Sequence, residues 1–324
     1  MDSRARRRRP GHQGLDLAAL SRILVVNAGS TSLKLSVVEG DERSEHVPSL
    51  DRVPDGIKAV GHRVVHGGRV FGDAARIDPD VIDQIGELAS LAPLHTEPAL
   101  RGIRTVHAEL PGVPHVAVFD SAFHRSIPDE ASTYAIPRRW REEWGIRRYG
   151  FHGLAVASVA DRIDVSRLVV CHLGGGCSVT AVHDGHSVDT TMGFSPLEGV
   201  PMATRSGSID PGAIFYLLRE HGLAPAELHE MLEHESGLAA LGGLDEPLGF
   251  AVYTYRVAQA VAAMATALGG IDTLAFSGGV GENRPDVREA VAKRVRFLGD
   301  FTITAVPARE DVIVARHVRG LLDQ

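Results

Sequence analysis

Cysteine is scarce in this chain, with Cys171 and Cys177 the only two among 324 residues. That excludes a disulfide-built secreted scaffold. Their C-x5-C spacing has no second pair, which argues against a structural zinc, and a reducing, cytoplasmic compartment is expected. A membrane-length apolar run is also lacking. The most apolar stretch, 257–280, is interrupted by Gln259, Asp272 and four glycines, so it reads as a buried helix followed by a strand. Positive charge is short too: the net charge is −7. Residues 1–21 carry Arg4, Arg6, Arg7, Arg8 and Arg9 against Asp2 and Asp16, a local +3 that leaves −10 on the remainder. Such a body has no basic excess for holding nucleic acid. The Arg-rich start is followed by no apolar segment, so 1–21 reads as a disordered tail or an upstream start site and not as a signal peptide.

The length leads us to expect two domains, or else one large one. Ile23-Leu24-Val25-Val26 is an apolar run followed by the small polar stretch 27–32 and a second run from Leu33, the pattern of a hairpin. Leu168-Val169-Val170-Cys171, the turn 172–176 and the run 178–182 repeat that order. The two stretches align without a gap at an offset of 145, with Gly29 on Gly174 and Gly40 on Gly185. This points to a duplicated α/β domain with a cleft between its halves. Helical spacing marks Pro79 to Leu91, Pro211 to Glu220, Ala224 to Glu233, Tyr253 to Leu268 and 285–296. Val116–Phe119 and Leu274–Phe276 read as buried strands.

Three loops of small residues end buried strands: 27–32, 172–176 and 278–283. Backbone N–H groups in such turns can approach phosphate oxygens because no side chain intervenes. No G-x-x-x-x-G-K-[ST] is present, and no G-x-G-x-x-G opens a helix after the first strand, which disfavours P-loop and dinucleotide folds.

Eight blocks then carry a specific resemblance: VNAGSTSLK (26–34), GHRVVHGG (61–68), FDSAFH (119–124), RRYGFHG (147–153), HLGGGCS (172–178), SVDTTMGFSPLEG (187–199), TRSGSIDPG (204–212) and GGVGEN (278–283). In content and order the chain resembles the acetate kinase (acetate/propionate kinase) family, a branch of the actin/Hsp70/sugar-kinase fold, from about Ile23 to Leu321. The resemblance implies two actin-like, ribonuclease H-like domains facing a central cleft. The first would span 22–122 plus 311–324, and the second, nucleotide-binding, 123–310. It implies transfer of the ATP γ-phosphoryl group to acetate, with Mg2+ (or Mn2+) as the metal and a homodimer as the assembly.

Residue by residue, it implies Asp120, His152 and Arg205 as catalytic residues. Arg63, Val65, Leu94, His95, Phe151 and Pro196 would bind the acid, the apolar four forming a pocket for its methyl group. Lys34, His172, Leu173, Gly174, Gly175 and Gly176 would meet the nucleotide, together with Gly279, Val280, Gly281, Glu282 and Asn283. Asn27 and Glu310 would help place the metal. A carboxylic acid is already ionised near pH 7, with a pKa of about 4, so no proton need be removed for attack. Asp120 is therefore expected to orient metal-bound waters or Arg205.

Several positions depart from the family pattern. Gly175 stands for a usual Asn, Leu154-Ala155-Val156 for Thr-Ser-His, and Ser208 for Asp. The stretch between Leu238 and Tyr253 is shortened where relatives contact the adenosine, which leaves the phosphoryl donor open. Propionate, a longer acid, or a donor such as pyrophosphate is the rival within enzymes. A nucleotide-binding module without kinase activity is the rival from another class.

Overall fold

The computed structural model describes residues 21–28, 33–40, 42–90 and 93–323, with backbone only at 90 and 93–95. The Arg-rich tail, apart from Ser21, and the turn 29–32 lie outside the described residues. Among the described residues, eleven strands form two sheets of matching plan. The first holds β1 (Arg22–Ala28), β2 (Leu33–Glu39), β3 (Arg43–Val47), β4 (Ala59–Val64), β5 (Ala75–Arg76) and β6 (His115–Phe119), in the order β3-β2-β1-β4-β6-β5. The second holds β7 (Arg167–Leu173), β8 (Cys177–His183), β9 (His186–Thr190), β10 (Thr273–Ser277) and β11 (Thr302–Ala305), in the order β11-β10-β7-β8-β9. Each half begins with an antiparallel meander, and two further strands then add in parallel beside its first strand. The duplication is thus visible in topology, and the fold is the duplicated actin-like α/β architecture expected.

One detail of the repeat is corrected. Ala28 pairs with Leu33, leaving four residues in the first turn, whereas Leu173 pairs with Cys177 and leaves three in the second. The gapless alignment therefore fails at the turn, and each β8 residue is one position out. Side chains alternate along a strand, so such a slip exchanges its two faces, and the pairing reveals it.

Pro79, Pro211, Pro225, Pro247 and Pro285 each open a helix, where a missing N–H and a fixed φ are no loss. Asp78 caps the first of these, its Oδ1 accepting from Val81 N at 2.8 Å. That helix ends at Glu87 and continues as a 3-10 turn to Ser90, and Leu91 lies outside the described residues. The helix expected from Tyr253 begins at Pro247, so the shortened segment is largely helical. Residues 278–283 are a short helix and not an open loop, and Asn283 ends it instead of starting the next. Glu310 begins a helix of 13 residues, Glu310–Leu322.

That last helix returns to the first sheet, where Ile313, Val314 and Val318 pack with Ile23, Val25 and Val118. Gly61 in β4 permits the approach: a Cβ there would lie 2.6 Å from Val314 and 2.8 Å from Val318. The helix Gly153–Ala160 lies between the halves. Its Leu154 joins the first core, while Val156 and Val159 join Leu168 and Val170 of the second. Apolar side chains thus suit positions 154 and 156 here.

His62, His66 and His124 are buried, and burial lowers their pKa values from 6.5 to about 3, about 4 and about 4. A depressed imidazole pKa means that the unfolded chain takes up protons first on acidification. Stability is therefore complete above about pH 6.5 and declines as pH falls toward the folded values. At pH 5.5 each histidine contributes a loss of about 1.4 kcal/mol, roughly 4 kcal/mol for the three. The thermal midpoint is expected to fall between pH 7 and 5.5. An unchanged midpoint across that interval would show that these imidazoles titrate normally in the fold.

Candidate active site

β1, β4 and β6 run parallel, so their carboxyl ends gather polar side chains at one edge, where ligands of open α/β sheets bind. Arg63 is in register with Asn27 of β1, and Asp120 follows β6 directly. The Arg63 guanidinium joins the group. Its Nε and Nη2 donate to Asp120 Oδ1 and Oδ2 at 3.2 and 2.7 Å. Nη1 donates to Asn27 Oδ1 at 3.3 Å and pairs with Glu310 Oε2 at 3.1 Å. Lys34, opposite Asn27 in β2, lines the same hollow of about 240 Å³ with Arg63 and Glu310. Lys34 thus stands beside the metal candidates, on the first sheet. Burial opposes the charge of Arg63, but Asp120 and Glu310 outweigh it and hold the guanidinium more firmly protonated than usual. Burial pushes the Asp120 carboxyl up, while Arg63 pulls it down.

The second sheet contributes the facing edge. His172 at the end of β7 shares a 3.0 Å hydrogen bond between its Nδ1 and Ser277 Oγ, and His152 Nδ1 shares one of 3.1 Å with Ser178 Oγ. The two rings lie edge to face with centroids 4.8 Å apart. His152 has φ 60, a left-handed conformation unusual for a residue with a side chain. Its surroundings impose this. Gly153 abuts the Asp120 carbonyl where no Cβ fits, and Gly150, at φ 79, abuts the His124 ring. Burial first, and then the neighbouring basic groups, push His172 down to about 4 and His152 well below the ordinary value. Both are neutral at pH 7, so each has one ring N–H to donate.

Arg205 comes from a loop stitched on both sides. Ala203 N donates to Gly175 O at 3.1 Å, tying it to the glycine turn, and Ser236 N donates to Thr204 O at 2.9 Å. Its Nε donates to the buried Glu233 Oε2 at 2.6 Å. A Cβ on Gly176 would lie 3.0 Å from His152 Nε2 and 3.7 Å from Arg205 Nη1, so the turn, the imidazole and the guanidinium adjoin. Asp120 receives the Arg63 guanidinium through both of its oxygens.

The two glycine segments of the second half also meet. Gly278, at φ +76, rests on the Leu173 carbonyl, and a Cβ on Gly174 would be 3.8 Å from Gly279 N. Gly175 has open space around it. Glu282 Oε1 accepts from Gly278 N, and Asn283 Nδ2 donates to Gly279 O, both at 2.9 Å, so these side chains brace their own helix. Val280 packs on the second core, and Gly281 faces Phe276. Of the apolar pocket, Val65 and the buried Phe151 share one cluster with Phe194, and Pro196 is buried nearby in sequence. The side chains of Leu94 and His95 lie outside the described residues.

Sequence reasoning missed Glu233, Ser178, Ser277 and Tyr134. Tyr134 donates to Glu198, whose other oxygen accepts from Arg148 Nη2 at 3.1 Å, and this fixes the loop carrying Phe194 and Pro196. A lone glutamate or serine on an ordinary element carries no local mark of such a role.

The sequence profile of the acetokinase family matches residues 45–314. An acetate kinase of Thermotoga maritima is 37% identical, the match covering 94% of this chain and 99% of that protein. That alignment spans 400 positions against 324 residues here, so the relative carries segments that this chain lacks. Among solved structures, a propionate kinase from Francisella tularensis superposes with a TM-score of 0.83 at 30% identity, covering 92% of this chain and 98% of that one. An acetate kinase from Porphyromonas gingivalis gives 0.81 at 29%, with 93% and 100% covered. With the fold and these matches together, the chain belongs to the acetokinase family.

Proposed function

We propose that the protein is an acetate kinase, transferring the γ-phosphoryl group of ATP reversibly to acetate to give acetyl phosphate and ADP. The observation that carries this is that two guanidinium groups, Arg63 and Arg205, both lie near enough to His152 to disfavour its protonation. Phosphoryl transfer needs positioning and positive charge around the equatorial oxygens more than covalent help from the protein. In the proposed reaction, a carboxylate oxygen forms a bond to the γ-phosphorus as the bond to the bridging oxygen of ADP breaks. Arg63 binds the acid, displacing one of its present oxygen partners, and Val65, Phe151 and Pro196 enclose the methyl group. Arg205 and a His152 N–H stabilise the transferring oxygens. The turn 174–176 and the helix start at Gly278 hold the donor phosphates. Asp120 orients Arg63.

Asn27 and Glu310 are hard oxygen donors of the kind Mg2+ prefers. Among the described residues no group of three His, Cys, Asp or Glu side chains forms a cage, which suits an ion held largely through water and phosphates. When bound there, Mg2+ supplies neutralisation of the polyphosphate charge. The first domain is taken as 22–122 with 311–324 and the second as 123–310, supported by the packing of the last helix on the first sheet. A homodimer is supported by the helix Pro211–Glu220, which buries none of its residues and exposes Phe215 and Tyr216. No helix among the described residues is long and apolar enough to cross a membrane, and the proposed location is the cytoplasm.

A hydroxamate assay tests the reading, with ATP, GTP and pyrophosphate offered in turn and acetate or propionate as acceptor. Acetyl hydroxamate formed from ATP and acetate is the expected result. No product with any donor, despite measurable nucleotide binding, would establish the non-catalytic module instead.

A further inference from the structure

A second polar hollow, of about 240 Å³, is lined by Arg69, Arg125, Arg147, Arg148, Ser121 and Tyr149, among others. Four guanidinium groups line this one small space, a cationic lining complementary to an anion. Only Arg148 has carboxylate partners among the described residues, in Glu198 and Asp189. Arg69 reaches the Glu142 carbonyl at 3.4 Å and Arg147 the Arg148 carbonyl at 3.3 Å. Arg125 has neither a hydrogen bond nor an ion pair with a described residue. Its guanidinium instead fills the space a Cβ would occupy at Gly72, so the backbone makes room for it. Arg148 Nε is buried without a hydrogen bond. On a chain of net charge −7, this crevice gathers three arginines, Arg69, Arg125 and Arg147, that have no carboxylate partner among the described residues.

From this geometry we infer a second anion site, taking a compact phosphate-bearing ion. The volume is too small for a nucleotide and suits a phosphate group with a little water. Three segments meet there. One follows Arg63 and Val65, one follows Asp120, and one precedes Phe151 and His152. Gly67 N already donates to Ser121 Oγ at 2.9 Å between the first two. A bound phosphate ties all three together.

The test is calorimetric titration of the full chain with inorganic phosphate while a non-hydrolysable ATP analogue and acetate occupy the cleft. A parallel titration uses acetyl phosphate, to distinguish the free ion from the acyl phosphate as the source. Arg69→Gln/Arg125→Gln is expected to weaken phosphate binding about tenfold or more, since two charged donors are lost, while leaving turnover without added phosphate unchanged. Gly72→Ala keeps every charge but displaces Arg125, and is expected to weaken binding similarly. Equal phosphate affinity in wild type and both variants would overturn the proposal, as would no binding to the wild type. Failure of the ATP analogue to bind would count against the proposed donor only, because the comparison of variants does not require it.

Discussion

Arg63→Ala is expected to remove turnover and to destabilise the fold by about 3–5 kcal/mol, since it leaves a buried carboxylate without its counter-charge. Asp120 is 0% exposed and receives two of its hydrogen bonds from this guanidinium. Glu310 then adds like charge beside it. The double variant Arg63→Ala/Asp120→Ala separates the two effects. Denaturant unfolding is expected to show recovery of most of the lost stability, with activity still absent. A single variant as stable as the wild type would show that Asp120 is not held by this pair.

Arg205→Lys is expected to lower kcat about 10³-fold, roughly 4 kcal/mol of transition-state stabilisation, with donor affinity changed only a few-fold. Lysine keeps the charge but not the planar fork, which here uses Nε to hold Glu233 while Nη1 stays near His152 and Gly176. Steady-state kinetics with a direct measurement of nucleotide binding distinguishes the two quantities. Near-normal kcat in this variant would remove Arg205 from the chemistry. A parallel loss of nucleotide affinity would place its contribution in donor binding instead.

Much of the architecture is legible in the sequence because it is written in local pattern. The runs at 23–26 and 168–171 are continuous and apolar, as interior strands must be, and both become sheet centres. The helices opened by Pro79 and Pro211 and capped by Asp78 and Asp210 carry their own start signals and begin where expected. The helix Gly153–Ala160 shows no such signal, because a segment buried on nearly all sides has no polar face to give a period. Pro93–Glu109 is equally hard to see; a proline inside it and its scattered polar residues blur the pattern.

The chain by itself determined the α/β class, the duplication, the family resemblance and the residue types gathered at the strand ends. Only the tertiary structure decided that Arg63 takes Asp120, Asn27 and Glu310 together, that Arg205 takes Glu233, and that the second turn is one residue shorter. The physical reason is range. Periodicity and turn chemistry act over a few residues, whereas ion pairing acts through space. Residues as far apart in the chain as Arg63 and Glu310 meet only after two sheets and a returning helix have fixed their positions.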